Sequence, residues 1–258
     1  MNQWMTLFKK EMLEMSRNFK WIWVPLTFIM IAVKEPLTLY YMPQIIDSLG
    51  GLPEGAVIEL PVPSAGEALA ASLSQFNTFG VLIIVLITMG TIAGERKSGV
   101  AGLILVKPVS YAWFVTAKWA SSMILIWFSY FLSYFLSWYY VGVLFEFISF
   151  ADFLQSFFVN GIWLTLIVTV VILFNTFMKS PGAVGFISIG IIVILSLLSS
   201  SLPHLLEWSP ALLSAYSNAF IMGSNLPDEL LPSIIVSGVM ITLSLLASIA
   251  IFKRRELA

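Results

Sequence analysis

The chain has 258 residues, of which 59% are hydrophobic and 10% charged, with 20 Phe and 9 Trp, and its mean hydropathy is +0.94. So few charges exclude an ordinary soluble domain, and a formal net charge of −1 gives no basic surface for nucleic acid. The absence of cysteine excludes a disulfide framework and a thiolate metal site.

Taken in chain order, the first 20 residues place Trp4, Phe8, Met12, Met15 and Phe19 at spacings of three and four, with Lys9, Lys10, Glu14 and Arg17 on other faces. This pattern predicts an amphipathic helix over 1–20 lying along the membrane interface, in preference to a straight extension of the first span. Crossing a bilayer takes about 20 apolar residues, and that ruler gives six spans, at 21–41, 76–93, 119–144, 154–178, 182–202 and 231–252. The first lacks the small-residue cleavage site of a signal peptide and is expected to stay. Residues 42–75, with Pro43, Pro53, Pro61 and Pro63 among several glycines, read as a loop, with a short helix over 66–74 leading into the second span.

Charge sets the orientation. Lys9, Lys10, Arg17, Lys20, Arg96, Lys97, Lys107, Lys118, Lys179, Lys253, Arg254 and Arg255 all fall on the N-terminal side of the bilayer, leaving Lys34 alone of the 13 basic residues. The positive-inside rule then predicts cytoplasmic termini. The expected fold is an all-α integral membrane protein, one transmembrane domain over 1–258, with an interfacial lead helix and six transmembrane helices.

Catalytic patterns are missing. The single His, His204, cannot make a His-Glu-x-x-His zinc site, and no Gly-x-Ser-x-Gly elbow supports a triad. No Gly-x-x-x-x-Gly-Lys-Ser/Thr loop is present, so the chain is expected not to be an enzyme, and any ATP it uses is hydrolysed by a partner. Lys34 and Glu35, near the outer interface before Pro36, read as surface-facing and, being adjacent, as pointing apart. Ser129, Ser133, Ser137, Thr165, Thr169, Ser188, Ser196 and Ser199 read as helix-packing hydroxyls. His204, Glu207 and Asp228 are expected at the outer surface without a facing partner, which argues against a membrane-embedded enzyme.

The segment 94–118 is the cationic interior loop. Glu95, Arg96 and Lys97 open it, Gly99 and Gly102 permit close approach, and Val100, Leu103, Ile104 and Val106 offer an apolar surface before Lys107-Pro108 breaks the helix and Ser110 caps the next. Its residues alone fit either docking into a partner's groove or an ordinary loop helix on the inner leaflet. Gly90 and Gly94 form a Gly-x-x-x-Gly pair suited to a close helix crossing.

Gly94-Glu95-Arg96-Lys97-Ser98-Gly99, then Leu103 and Leu105, then Lys107-Pro108-Val109-Ser110 and Ala117-Lys118 resemble the signature of the type-2 ATP-binding-cassette (ABC) exporter permeases. Tyr111 stands where Arg is common in that family. The layout resembles the family too, down to a proline-broken outer segment over 202–231 with Ser209-Pro210. This resemblance implies a half-transporter in a bacterial plasma membrane, pairing with a second permease chain and with two ABC ATPase subunits. ATP and Mg would be bound by the ATPases, with no cofactor in this chain. It makes 94–118 the coupling segment, with Gly94, Glu95, Arg96, Lys97, Gly99, Leu103 and Pro108 toward the ATPase. The aromatic, uncharged spans favour an amphipathic or hydrophobic substrate such as a peptide, drug or lipid. The alternative is a non-transporting membrane scaffold or immunity protein.

Overall fold

The computed structural model of the chain describes residues 3–48, 63–106 and 109–256. The described residues form helices and connecting turns, with no strand among them. The lead helix α1 (Gln3–Arg17) ends in a turn at Asn18 and Phe19, where Phe19 takes a positive φ of 54°. The first span, α2 (Lys20–Ser48), therefore starts as a separate helix. The second span is composite: α3 (Ala65–Gln75), a π turn (Phe76–Gly80) and α4 (Val81–Thr88). Turns over 89–92 separate α4 from two short helices, α5 (Ala93–Lys97) and α6 (Val100–Leu105). The third to fifth spans are α7 (Tyr111–Leu144), α8 (Phe150–Phe177) and α9 (Pro181–Ser201). A 3-10 turn (Pro210–Leu212) leads into α10 (Leu213–Ile221), and the last span is α11 (Leu230–Glu256). Six helical segments are long and apolar enough to cross a membrane.

Several expected boundaries shift. The first span runs on past residue 41 to Ser48, so Pro43 lies inside α2 rather than in the loop, as a membrane helix can tolerate proline. The expected short helix over 66–74 is α3, but it joins the second span, which begins at Ala65 instead of residue 76. Its start is fixed by a capping box: Ser64 Oγ accepts from Glu67 N at 3.3 Å, and Ser64 N donates to the Glu67 carboxylate at 2.7 Å. The third span begins eight residues early, at Tyr111, and Ser110 takes the N-cap position without a capping hydrogen bond. Lys34 and Glu35 do meet, at 3.6 Å. Of the proline-rich loop, 49–62 lies outside the described residues, as do Lys107 and Pro108.

The fourth span α8 is the most buried of the six, and α9 and α11 are the least. The α7–α8 pair is closed by an antiparallel ladder in which polar aromatic groups of α7 reach α8 or the turn before it. Trp119 Nε1 donates to Thr169 Oγ1 at 2.9 Å and Trp127 Nε1 to Thr165 Oγ1 at 3.1 Å. Asn160 Nδ2 donates to the Tyr130 hydroxyl at 3.1 Å, Tyr134 pairs with Ser156 at 2.8 Å, and Trp138 Nε1 donates to Ile148 O at 3.0 Å. Thr165 and Thr169 thus accept from tryptophans rather than simply packing. Each bond removes an orphan polar group from an apolar interior, where it would cost about 1–3 kcal/mol. Ser137 ties α7 to α2 by donating to Ala32 O at 3.2 Å.

Tight helix approach is found at Gly66, where an added Cβ would stand 2.7 Å from Ile221 O, a backbone atom of α10. Gly66→Val is expected to overpack this crossing and cost about 1–3 kcal/mol, read as a lower thermal unfolding midpoint in detergent. Gly190, which faces open space, should accept Ala without loss of that midpoint.

Candidate coupling interface

The end of the bundle that carries α1, α5, α6 and the start of α7 also carries most of the basic residues. Its centre is Lys118, only 2% exposed. The ammonium lies 2.8 Å from Glu11 Oε1 and 2.9 Å from Glu95 Oε2. Lys10 completes the group, 3.0 Å from Glu11, 3.3 Å from Glu14 and in contact with Glu95. One network therefore fastens three helices together: α1 through Lys10 and Glu11, α5 through Glu95, and α7 through Lys118. Partial burial works against the charge on Lys10, but the Glu95 and Glu11 carboxylates outweigh it and hold its pKa above the ordinary lysine value. Lys10 consequently stays protonated near neutral pH.

The sequence pattern set Trp4, Phe8, Met12, Met15 and Phe19 on the apolar face of an interfacial helix and gave no role to Glu11. In the structure Glu11 and Met15 are the buried positions of α1, and Phe19 is exposed. Trp4, stacked on Phe8 at 5.2 Å, donates from Nε1 to Thr116 Oγ1 at 3.1 Å. A carboxylate tolerates this buried face because Lys118 meets it from α7 and Lys10 from its own helix.

The candidate docking residues divide into two groups. Glu95 turns inward to Lys118 and Lys10, so its carboxylate is a fastener within the chain. Arg96 also reaches inward: its guanidinium donates to Thr176 O at 3.0 Å and lies 5.9 Å from the Phe252 ring of α11. Lys97 is exposed. Gly99 takes a φ of 80°, a left-handed conformation that favours glycine, and this turn swings α6 away from α5. On α6, Leu103 is 75% exposed, and Val106 just beyond it is 85% exposed. Val100 is exposed as well, while Ala101 is buried. Pro108 lies outside the described residues.

Gly90 and Gly94 make no close crossing within the chain. An added Cβ on Gly90 would meet only Pro181 at 3.9 Å, and one on Gly94 would meet nothing within 4 Å. The regular helix is interrupted over 89–92, yet Gly94 N donates to Gly90 O at 3.0 Å, so the pair still spans one helical turn without a close neighbour among the described residues.

At the break, the Asn175 amide of α8 enters the second span. Its Oδ1 accepts from Ile92 N at 3.2 Å and Ala93 N at 3.0 Å, while Nδ2 donates to Thr88 O at 3.1 Å and Val171 O at 2.9 Å. Asn175 went unnoticed in the sequence. An amide near the end of a 28-residue apolar helix, after Gln155 and Asn160 on the same helix, was the available signal.

Beyond this end, Ser74, Asn77, Thr78, Trp163, Ser196 and Asn218 line a cleft of about 340 Å³ between the second span, α8, α9 and α10. The Asn77 and Asn218 Oδ1 atoms are buried there without a hydrogen-bond partner. At the acidic end, Ser209 caps the turn into α10 by accepting from Ala211 N at 3.4 Å, and its hydroxyl meets Ser199 at 2.6 Å. His204, Glu207 and Asp228 are exposed, and Glu207 contributes its backbone carbonyl to Tyr216 and Ser233.

No protein-family model matches the chain. Over 252 residues it is 34% identical to the protein named Uncharacterized transmembrane protein YxlG, from Bacillus subtilis (strain 168), with 98% of each chain covered.

Lys118→Met would leave Glu11 and Glu95 sharing only the half-exposed Lys10 and would remove their buried cation. The expected loss is about 3–5 kcal/mol, measured by thermal unfolding together with faster proteolysis of α1. Adding Glu11→Leu and Glu95→Gln should recover most of it. A Lys118→Met chain as stable as wild type would refute the network's structural role.

Proposed function

The chain belongs to the family of this transmembrane protein, and we propose that it is the membrane-spanning permease subunit of an ATP-driven ABC exporter, energised by separate ATPase subunits. The observation that carries the reading is the α5–α6 elbow. Its base is fastened to α1 and α7 by buried ion pairs, while its tip presents Leu103 and Val106 outward. An apolar knob on a rigid base suits insertion into a partner's groove, because little conformational freedom is lost on docking.

The basic residues around that knob support a cytoplasmic position for the elbow and both termini, in the plasma membrane of a bacterium. Docking contacts are assigned to Lys97, Leu103 and Val106, with Gly99 setting the angle of α6. Glu95 and Arg96 act indirectly, by fixing the base. A second permease chain is proposed to cover part of the exposed surface of α9 and the adjoining face of the second span. Phe79, Leu82 and Leu86 on the second span and Phe186, Val193 and Leu197 on α9 are exposed there. The polar cleft at Asn77 and Asn218 adjoins this surface and supports a pathway for an amphipathic substrate.

The test is purification from the native host in mild detergent. Wild type should recover an ABC ATPase, and Leu103→Asp combined with Val106→Asp should lose it while the permease keeps its unfolding midpoint. Glu95→Ala should lose the ATPase only together with stability. If no ATPase accompanies wild type, the exporter assignment fails and a non-transporting scaffold becomes the better reading.

A further inference from the structure

The break in the second span has a second arrangement available to it. In an unbroken α-helix the N–H groups of Thr91, Ile92 and Ala93 would bond the carbonyls of Ile87, Thr88 and Met89. Here Thr91 N turns to Thr88 O at 3.1 Å, and Asn175 Oδ1 takes both Ile92 N and Ala93 N. Two freed carbonyls are also claimed by side chains from other spans. Ile87 O accepts from Lys20 Nζ at 3.2 Å, and Thr88 O from Asn175 Nδ2 at 3.1 Å.

We propose that Asn175 is the positioning residue that holds the second span in its broken form, and that withdrawal of its amide closes 88–93 into continuous helix and so moves the α5–α6 elbow. The purpose of this movement rests on the exporter reading; its geometry does not.

Four features carry the inference. First, an amide both donates and accepts, as the break demands, whereas Asp could only accept and Leu could do neither. Second, on release Nδ2 keeps Val171 O on its own helix at 2.9 Å, while Oδ1 gives up both of its donors, a cost that favours the broken form. Third, the released backbone finds its ordinary helical partners, so both forms satisfy Ile92, Ala93 and Thr88 in an apolar setting. Fourth, the break contains Gly90, which weakens the continuous helix enough to keep it from prevailing. Two packings of one segment, with its backbone hydrogen-bonded in each, make a two-state element. Asn175 is buried on the most buried span, which supplies the fixed side of the hinge.

The chain has no native cysteine, so spin labels can be placed on Lys97→Cys and Lys179→Cys, both at exposed positions. In lipid nanodiscs, the wild-type background should give one dominant distance by pulsed electron paramagnetic resonance. Asn175→Leu should shift it by on the order of 2 Å, about the difference in rise between a 3-10 and an α-helical turn over three to four residues. Gly90→Ala meets only Pro181 at 3.9 Å and should populate the same second distance. One unchanged distance in every background overturns the proposal. If Asn175→Leu does not assemble, Gly90→Ala decides alone by the same criterion.

In the complex with the ATPase, Asn175→Leu should retain ATP turnover and lose transport. Equal loss of both would mark a purely structural residue and overturn the assigned role. If no ATPase partner exists, the exporter reading falls while the spin-label distances still decide the hinge.

Discussion

In a bilayer core no water is available to a polar group, so each amide, hydroxyl and charge must find its partner within the protein. The architecture follows that constraint from one end of the bundle to the other. Between α7 and α8 it yields the Trp, Tyr, Thr, Asn and Ser ladder, in which large apolar rings fill space and their polar edges set the register. At the end of the second span next to α5 it explains why a broken backbone is tolerated: Asn175 and Lys20 take the exposed groups. Around Lys118 it explains why two carboxylates from distant helices converge on one ammonium.

These three solutions differ in what they resist. The ladder joins neighbouring spans over their whole length, and Tyr130, Tyr134 and Phe153 are buried within it. The Lys118 group acts at one point, but it joins elements more than a hundred residues apart, since Glu11 and Lys118 are separated by 107 positions. The Asn175 bonds act on a backbone that has a helical alternative. A cluster with one arrangement therefore fixes the base of the elbow, and a segment with two lies directly before it.

Much of the fold was legible because membrane crossing is a matter of apolar length, and the six spans stand out whatever they pack against. Their ends were less so. Pro43, read as part of a loop, lies within α2, and the short helix expected over 66–74 is seen from the Ser64–Glu67 capping box to open the second span itself. At the candidate site, the exposed Leu103 and the turn at Gly99 follow from local pattern. The partners of Glu95 do not, since nothing near it in sequence indicates Lys118 or Lys10, and a charged turn at a helix end reads naturally as solvent-facing. The Gly90 and Gly94 spacing does set the pair one helical turn apart, but which helix faces that turn depends on packing that the segment does not encode. Thr165 and Thr169 were recognised as interior, but their tryptophan partners depend on the register of two long helices, which no single segment encodes.

The length of α7 gives the network at Lys118 a mechanical meaning. Its 34 residues extend to about 51 Å, against a hydrocarbon core of about 30 Å, so part of the helix stands clear of the apolar layer. Lys118 lies seven residues after Tyr111, roughly 14 Å from the helix midpoint and 11 Å short of its tip. The attached α1 and α5 are thus borne on the arm of a lever. A rotation of about 10° around the midpoint would sweep Lys118 through roughly 2.5 Å and the tip through roughly 4 Å, turning a slight reorientation inside the bilayer into a displacement large enough to re-seat a partner at its surface.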